Sequence, residues 1–574
     1  MNIMAVYHAN RLGTGIGRDG FCSIRKGRHM LCAPVFGSDG ELISAAIGWL
    51  RNQSQLTHEL GIAGSVPVHD LVIAAYRRWG VEYPEHLMGP ISTVLIDRSI
   101  DRMLVSRDRM GDTRMFYCRH GRTVAVSDHP DALIESPYAT RTVDIQGLNE
   151  IFALGPARTP GRTPYRDIAA LEPGCSLCVE RSGVTMRRYY SMAAYLHEES
   201  AEDTVAHVRR LIETAVDDIL PMAGASMLSG GLDSTALTAL MHAKGVSPVT
   251  FSVDYEGDEM DFTGNDFQPE RDREYAAMAA ELFSGCHHNV VLGYGELADS
   301  LDTAMAARGF PGMADIDSSL LLFGRGISAH ANAVVSGECG DEVFCGYPWF
   351  KRDSLNLDAG FPWSGSMDLR RAILRKDVAA AMRIDKYAQE TFRAALESIP
   401  AVPGESDADA RLRKLQGLCF KFFMSNLQER ALCMCEVSAV DVFTPFSDER
   451  LVEYVWNVPG NIKFLNGETK GLLREAVKDL LPDKLLHRKK SPYPKVYSPL
   501  YTARVRSAVR DILSDRNSPI LQVVDPAVLT QLVESELPAG GLPWFGQLMS
   551  GPQMLAYLWQ VNEWMRSRRV QLVI

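Results

Sequence analysis

Met227-Leu-Ser-Gly-Gly-Leu-Asp-Ser-Thr235 decides the fold of the larger part of this 574-residue chain. A short apolar strand, Ala225-Ser-Met-Leu228, runs into two glycines. Helical periodicity begins near Ser234 and continues through Ala236-Leu-Thr-Ala-Leu-Met241. Two glycines allow a tight turn with no side chain in the way, so successive N–H groups and a helix N-terminus face one concavity. That concavity suits an anion, and the hydroxyls of Ser229 and Ser234 add donors. Asp233 beside phosphates calls for a Mg²⁺ ion between them. No GxxxxGK[ST] occurs, so this is not the Walker-type loop with its gripping lysine.

Outward from this loop, short apolar strands alternate with helical stretches. The strands are Val249–Val253, His288–Leu292 and Ala333–Ser336; the helices are Thr204–Ile219, Asp272–Phe283, Ser318–Ala329 and most of 410–440. This alternation predicts a parallel sheet with helices on both faces. Beyond 350 the strands fade into a helical region. Before about 190 the grammar differs: Ile91–Asp97, Arg102–Ser106 and Thr123–Ser127 alternate with period two and predict antiparallel strands, with one amphipathic helix at Val68–Arg78. The expected fold class is α/β, with two domains, 1–195 and 196–574.

Hydrophobic residues make up 46% and charged residues 23%, ordinary for a globular protein. The net charge of -11 lacks the basic face that nucleic-acid binding requires. No apolar run is long enough to span a membrane, and Met1-Asn2-Ile3-Met4 shows no charged leader, so a cytoplasmic protein is expected. Eleven cysteines have no framework spacing. Cys175 and Cys178 form a CxxC without a second pair; a strand after a Pro-Gly turn is the simpler reading, a metal or redox site the alternative.

Ser229-Gly-Gly-Leu-Asp-Ser234 resembles the pyrophosphate loop of ATP pyrophosphatases, which cleave ATP between its α and β phosphates. A second segment, Val335-Ser-Gly-Glu-Cys-Gly-Asp-Glu-Val-Phe-Cys-Gly-Tyr-Pro-Trp-Phe350, resembles the acidic Gly-rich segment of glutamine-hydrolysing asparagine synthetases. A third, Gly471-Leu-Leu-Arg-Glu-Ala-Val-Lys to Pro494, resembles the family segment that delivers an active-site lysine. The resemblance implies ATP contacts at Leu228, Ser229, Gly230, Gly231, Leu232, Asp233, Ser234, Val253, Ser336 and Gly337. It implies Mg²⁺ held by Asp233 and Asp341, Glu338 facing the adenylated carboxyl and the incoming nitrogen, and Lys490 neutralising developing charge. Glu342 reads as a solvated or capping carboxylate, and Arg488 and Lys489 as a solvated basic face.

The same resemblance implies an N-terminal Ntn-type glutaminase-like αββα sandwich before the parallel-sheet pyrophosphatase domain and its helical C-terminal part. Family members open Met-Cys-Gly, which makes Cys the nucleophile; here Asn2-Ile3 stands there, and residues 2–7 hold no Cys, Ser or Thr. An asparagine side chain offers no thiolate or alkoxide. Leu87–Asp97, Ser106–Gly111 and Leu171–Gly174 still resemble the scaffold. Cys433-Met-Cys-Glu and Ala439–Phe446 depart from the family pattern, with Cys433 and Phe443 where it has arginines; if those arginines bind the α-carboxylate of aspartate, this chain does not bind it that way.

The expected activity is therefore an ATP-dependent amide synthetase, similar to the branch that includes β-lactam synthetase and lasso-peptide cyclases. It adenylates a carboxylate, releases AMP and pyrophosphate, and transfers the acyl group to an amine not made from glutamine. The alternatives are an ammonia-dependent asparagine synthetase and a catalytically inactive nucleotide-binding partner protein. Expected partners are small-molecule or peptide acids and amines, without nucleic acid or membrane; a homodimer is left open.

Overall fold

The computed structural model describes residues 3–8, 22–26, 29–33, 37–38, 40–257, 271–350, 357, 360–364, 367–494, 496, 498–535, 544–546 and 548–574. Two compact units form, one of Met1–Gly147, Thr159–Ala193 and Gln571–Val573, the other of Leu148–Arg158 and Ala194–Val570 with Ile574. Asn2, on which the expected loss of the nucleophile rests, lies outside the described residues.

The first unit holds two six-stranded antiparallel sheets. Strand Met4–His8 is interior to one, between His29–Ala33 and Thr123–Ser127. The other runs Gly183–Arg188, Cys175–Glu180, Arg102–Ser106, Ile91–Asp97, Leu42–Gly48, Gly37–Ser38. Alternation decides what lies between the sheets. Val94, Ile96, Met103 and Val105 join Ala5, Tyr7, Val124 and Val126 in one core, while Leu95 and Leu104 point the other way onto Leu71 and Val72 of helix Val68–Trp79. The turn after Ser106 is fixed by Asp108, whose carboxylate accepts from the backbone N–H groups of Met110, Gly111, Asp112 and Thr113.

Cys175 and Cys178 lie in strand Cys175–Glu180, three residues apart and so on opposite faces. Cys175 packs in the inter-sheet core and Cys178 against the helix-side core, so the pair cannot share a metal or a disulfide.

The second unit carries a five-stranded, fully parallel sheet in the order Cys286–Leu292, Val249–Tyr255, Ala225–Met227, Ala333–Val335, Asp441–Phe443. From Ala225–Met227 the chain adds two strands on one side and then crosses to build the other. The switch point thus falls between Ala225–Met227 and Ala333–Val335, where such sheets open a crevice at the strands' carboxyl ends. Strand Asp441–Phe443 is three residues long and gave no periodic signal.

Helical packing surrounds the sheet and continues to the C-terminus. The helical stretch expected over most of 410–440 forms as three pieces: Asp407–Leu418, a π-helical turn at Cys419–Met424, and Ser425–Val437. Among the described residues no helix is long and apolar enough to cross a membrane.

Candidate functional site

Both Gly-rich segments end at the switch point. Leu228 still pairs with the neighbouring strand, its N–H donating to Phe251 O at 2.7 Å. The chain then turns: the hydroxyls of Ser229 and Ser234 lie 3.1 Å apart, Gly231 N–H donates to Ser229 Oγ, and the helix starts at Leu232 with Asp233 in its first turn. Gly230 has φ +70°, and a Cβ there would lie 2.4 Å from Ala276 N, so only glycine passes. It packs against Tyr275 and Ala276 of helix Asp272–Phe283 rather than lining the crevice, unlike the other loop residues.

The acidic segment closes on this loop without room for a side chain between them. A Cβ on Gly337 would sit 2.8 Å from Ser234 N, and one on Gly340 2.7 Å from Asp233 Cγ. Leu228, Ser229, Gly231, Leu232, Asp233, Ser234, Val253, Ser336, Gly337, Glu338, Asp341 and Lys490 all line one crevice.

Four charges meet there. Lys470 Nζ bonds the carboxylate of Asp233 and lies 2.5 Å from Asp341 Oδ1; Lys490 Nζ lies 2.5 Å from Asp341 Oδ2. Burial alone would raise the pKa of Asp341, but Lys470 and Lys490 outweigh it and hold it at about 2. Asp233 goes the other way: burial raises it above the ordinary carboxylate value despite Lys470. Burial disfavours the Lys470 ammonium, yet the two carboxylates more than compensate and its pKa lies above the usual lysine value. Among the described residues no group of three or more His, Cys, Asp or Glu is arranged to hold a metal. Asp233 Oδ1 is buried without a hydrogen-bond partner.

Glu338 lines the same crevice. Its carboxylate accepts from Arg430 Nη1 at 3.1 Å. Arg430 is 1% exposed, donates through Nη2 to Ile316 O, faces Asp317 at 3.5 Å and stacks 4.4 Å over the ring of Tyr493. Burial raises the pKa of Glu338, and Arg430 opposes that rise.

Four residues depart from the sequence reading. Glu342 is not solvated: it is 1% exposed, accepts from Tyr347 Oη at 2.6 Å, and burial beside Asp341 pushes its carboxyl up to about 8. Arg488 is not on a solvated face: it is buried, paired with Asp272, and donates to Ser229 O at 3.1 Å, so it latches the phosphate loop. Cys433 and Phe443 are buried but do not line the crevice; from the same helix the lining residues are Leu427, Arg430 and Ala431. The argument from those two replacements to the acid pocket therefore fails.

Lys470 and Arg430 were missed. Lys470 stands one residue before the Gly471-Leu-Leu-Arg segment, in a left-handed conformation at φ +57° that turns it into the crevice. Gly346 makes room for it, since a Cβ there would lie 2.3 Å from Lys470 Cε. A sequence signal for Arg430 existed: Phe423, Leu427, Arg430 and Ala431 follow helical spacing, with one charge on an otherwise apolar face.

Known families and proteins match both halves of the chain. Residues 207–566 match the family model described as asparagine synthase, and residues 33–190 match a glutamine amidotransferase domain. The chain is 36% identical to asparagine synthetase [glutamine-hydrolyzing] 3 of Bacillus subtilis, over 92% of this chain and 87% of that protein. It is 22% identical to asparagine synthetase [glutamine-hydrolyzing] 1 of the same organism, over 89% and 84% of the two chains. It is also 23% identical to amidase chyE of Penicillium rubens, over 84% and 80%.

Proposed function

We propose that this chain, which belongs to the asparagine synthase family, adenylates a carboxylate and passes the acyl group to an amine that is not generated from glutamine. The family is one of carbon–nitrogen ligases that use ATP for amidation and form AMP and diphosphate. The observation that carries the finer reading is the shared crevice: phosphate loop, Asp233, Asp341, Lys470, Lys490 and Glu338 converge on one switch point.

The roles follow from position. Backbone N–H groups of the loop and the N-terminus of the helix from Leu232 cradle the phosphates. The partnerless Asp233 Oδ1 and the facing Asp341 form the two-carboxylate set that Mg²⁺ accepts alongside phosphates, and the ion would neutralise the departing pyrophosphate. Lys470 and Lys490 place two positive charges where the carboxylate oxygen attacks the α phosphorus and negative charge builds. The amine then attacks the acyl carbon, AMP departs, and the amine proton passes to Glu338.

The amine source is read from the N-terminal strand. Residues 2–7 offer no thiol or aliphatic hydroxyl, and Met4 to Tyr7 are ladder residues interior to the sheet. A substrate amine held near Glu338 gains the proximity that free ammonium in solution lacks. The acid and amine are small molecules or peptides. A second reading, ammonia-dependent asparagine synthesis, draws on the 36% identity to a Bacillus subtilis asparagine synthetase. Acid-dependent pyrophosphate release, with ammonium chloride and primary amines compared as acceptors, separates the two. Primary-amide formation from ammonium that no amine exceeds would favour the second.

A further inference from the structure

The wall beyond Glu338 is built by one helical face. Phe423, at the end of the π-helical turn, is followed by Leu427, Arg430 and Ala431 of helix Ser425–Val437, all lining the crevice. Met313, just before helix Asp315–Ser328, Ile316 in its first turn, and Leu548 line it as well. Five of these side chains are large and apolar, and one is a cation.

That cation is already matched. Arg430 faces Glu338 at 3.1 Å and Asp317 at 3.5 Å. Asp317, itself fully buried, also pairs with Arg308 at 3.3 Å; Arg308 lies 3.9 Å from Glu429, which pairs with Arg158. Three guanidiniums thus meet three carboxylates, and Arg430 alone of the three arginines reaches the crevice. An aspartate bound here would bring a second carboxylate into a partly desolvated wall whose charges are balanced, which is costly without a new partner.

Resting on the adenylation reading above, we infer that the acid is a monocarboxylate with an apolar body, seated against Phe423, Leu427 and Ala431, rather than aspartate. Burial of apolar surface supplies its affinity, and the single carboxylate is the one presented to the α phosphate.

The test uses the full chain with α,β-methylene-ATP and Mg²⁺, and titrates hexanoate, phenylacetate and L-aspartate calorimetrically. In parallel, acid-dependent conversion of ATP to AMP and pyrophosphate is followed with ATP. Apolar acids are expected to bind at least about tenfold tighter than aspartate. Phe423→Ala should weaken them several-fold, and Leu427→Arg, which adds an unmatched guanidinium, should shift preference toward aspartate. Aspartate binding as tightly as the apolar acids, or indifference to both substitutions, overturns the substrate class. Preferential binding of apolar acids without AMP formation supports the pocket while removing the adenylation reading.

Discussion

Lys470 Nζ lies 2.5 Å from Asp341 Oδ1 while also bonding Asp233, so one ammonium bridges the two carboxylates contributed by separate Gly-rich segments. The phosphate loop and the acidic segment are thereby joined electrostatically before any nucleotide arrives. Three glycines permit that closeness, because Gly337, Gly340 and Gly346 each sit where a Cβ would strike the loop, Asp233 or Lys470.

Removing that bridge leaves buried carboxylates facing one another. Lys470→Ala is expected to cost about 3–5 kcal/mol of stability, the usual loss when one partner of a buried pair is deleted. Urea denaturation measures it. Acid-dependent pyrophosphate release should fall roughly 100-fold or more. A variant with native stability and turnover would show the bridge to be incidental.

Asp233→Asn and Asp341→Asn should each lower pyrophosphate formation roughly 100- to 1000-fold while circular dichroism stays native. Lys490→Ala should lose turnover comparably but keep nucleotide binding, since it pairs with Asp341 and not with the loop. Near-native turnover in both Asp variants would remove them from the pyrophosphate site.

Gly340→Ala tests packing rather than charge. Its Cβ would lie 2.7 Å from Asp233 Cγ and Oδ1, so the Asp233 carboxylate must move from its place beside Lys470. Overpacking of this kind costs about 1–3 kcal/mol, and the displaced carboxylate should reduce turnover well beyond that. Thermal unfolding alongside pyrophosphate release separates the two effects.

The acid limb of amide formation should report Glu338. Its carboxylate form is the proposed acceptor of the amine proton, and burial raises its pKa while Arg430 holds it down. Activity should therefore fall, as pH drops, at a pH above the ordinary glutamate value. Arg430→Met removes the opposing charge and should move that limb to still higher pH; Glu338→Gln should abolish the limb together with most of the rate. A limb unmoved in Arg430→Met would show that Glu338 is not the titrating group.

Much of this was legible in sequence because the signals were local. Ile91–Asp97, Arg102–Ser106, Thr123–Ser127 and Asp272–Phe283 form with the bounds their periodicity predicts. The α/β class, the parallel sheet and both Gly-rich segments also follow from local pattern. What escaped was set by tertiary partners. Arg488 reads as one of three basic residues in a row, and only the folded chain shows Asp272 and Ser229 O waiting for it. Glu342 reads as a surface acid until Tyr347 caps it in the interior. Lys470 is marked by a left-handed backbone rather than by any motif, and Cys433, on helix Ser425–Val437, and Phe443, at the end of strand Asp441–Phe443, mislead because position in the chain does not reveal which face lines the crevice.

The source of the nitrogen is read from the ratio of glutamate to AMP formed in one reaction containing ATP, Mg²⁺, an accepted acid, a primary amine and millimolar glutamine. AMP and pyrophosphate are expected in equal amounts, with amide on the added amine and glutamate at the no-enzyme rate. One glutamate released per AMP, with primary amide as the product, would contradict a substrate amine as that source.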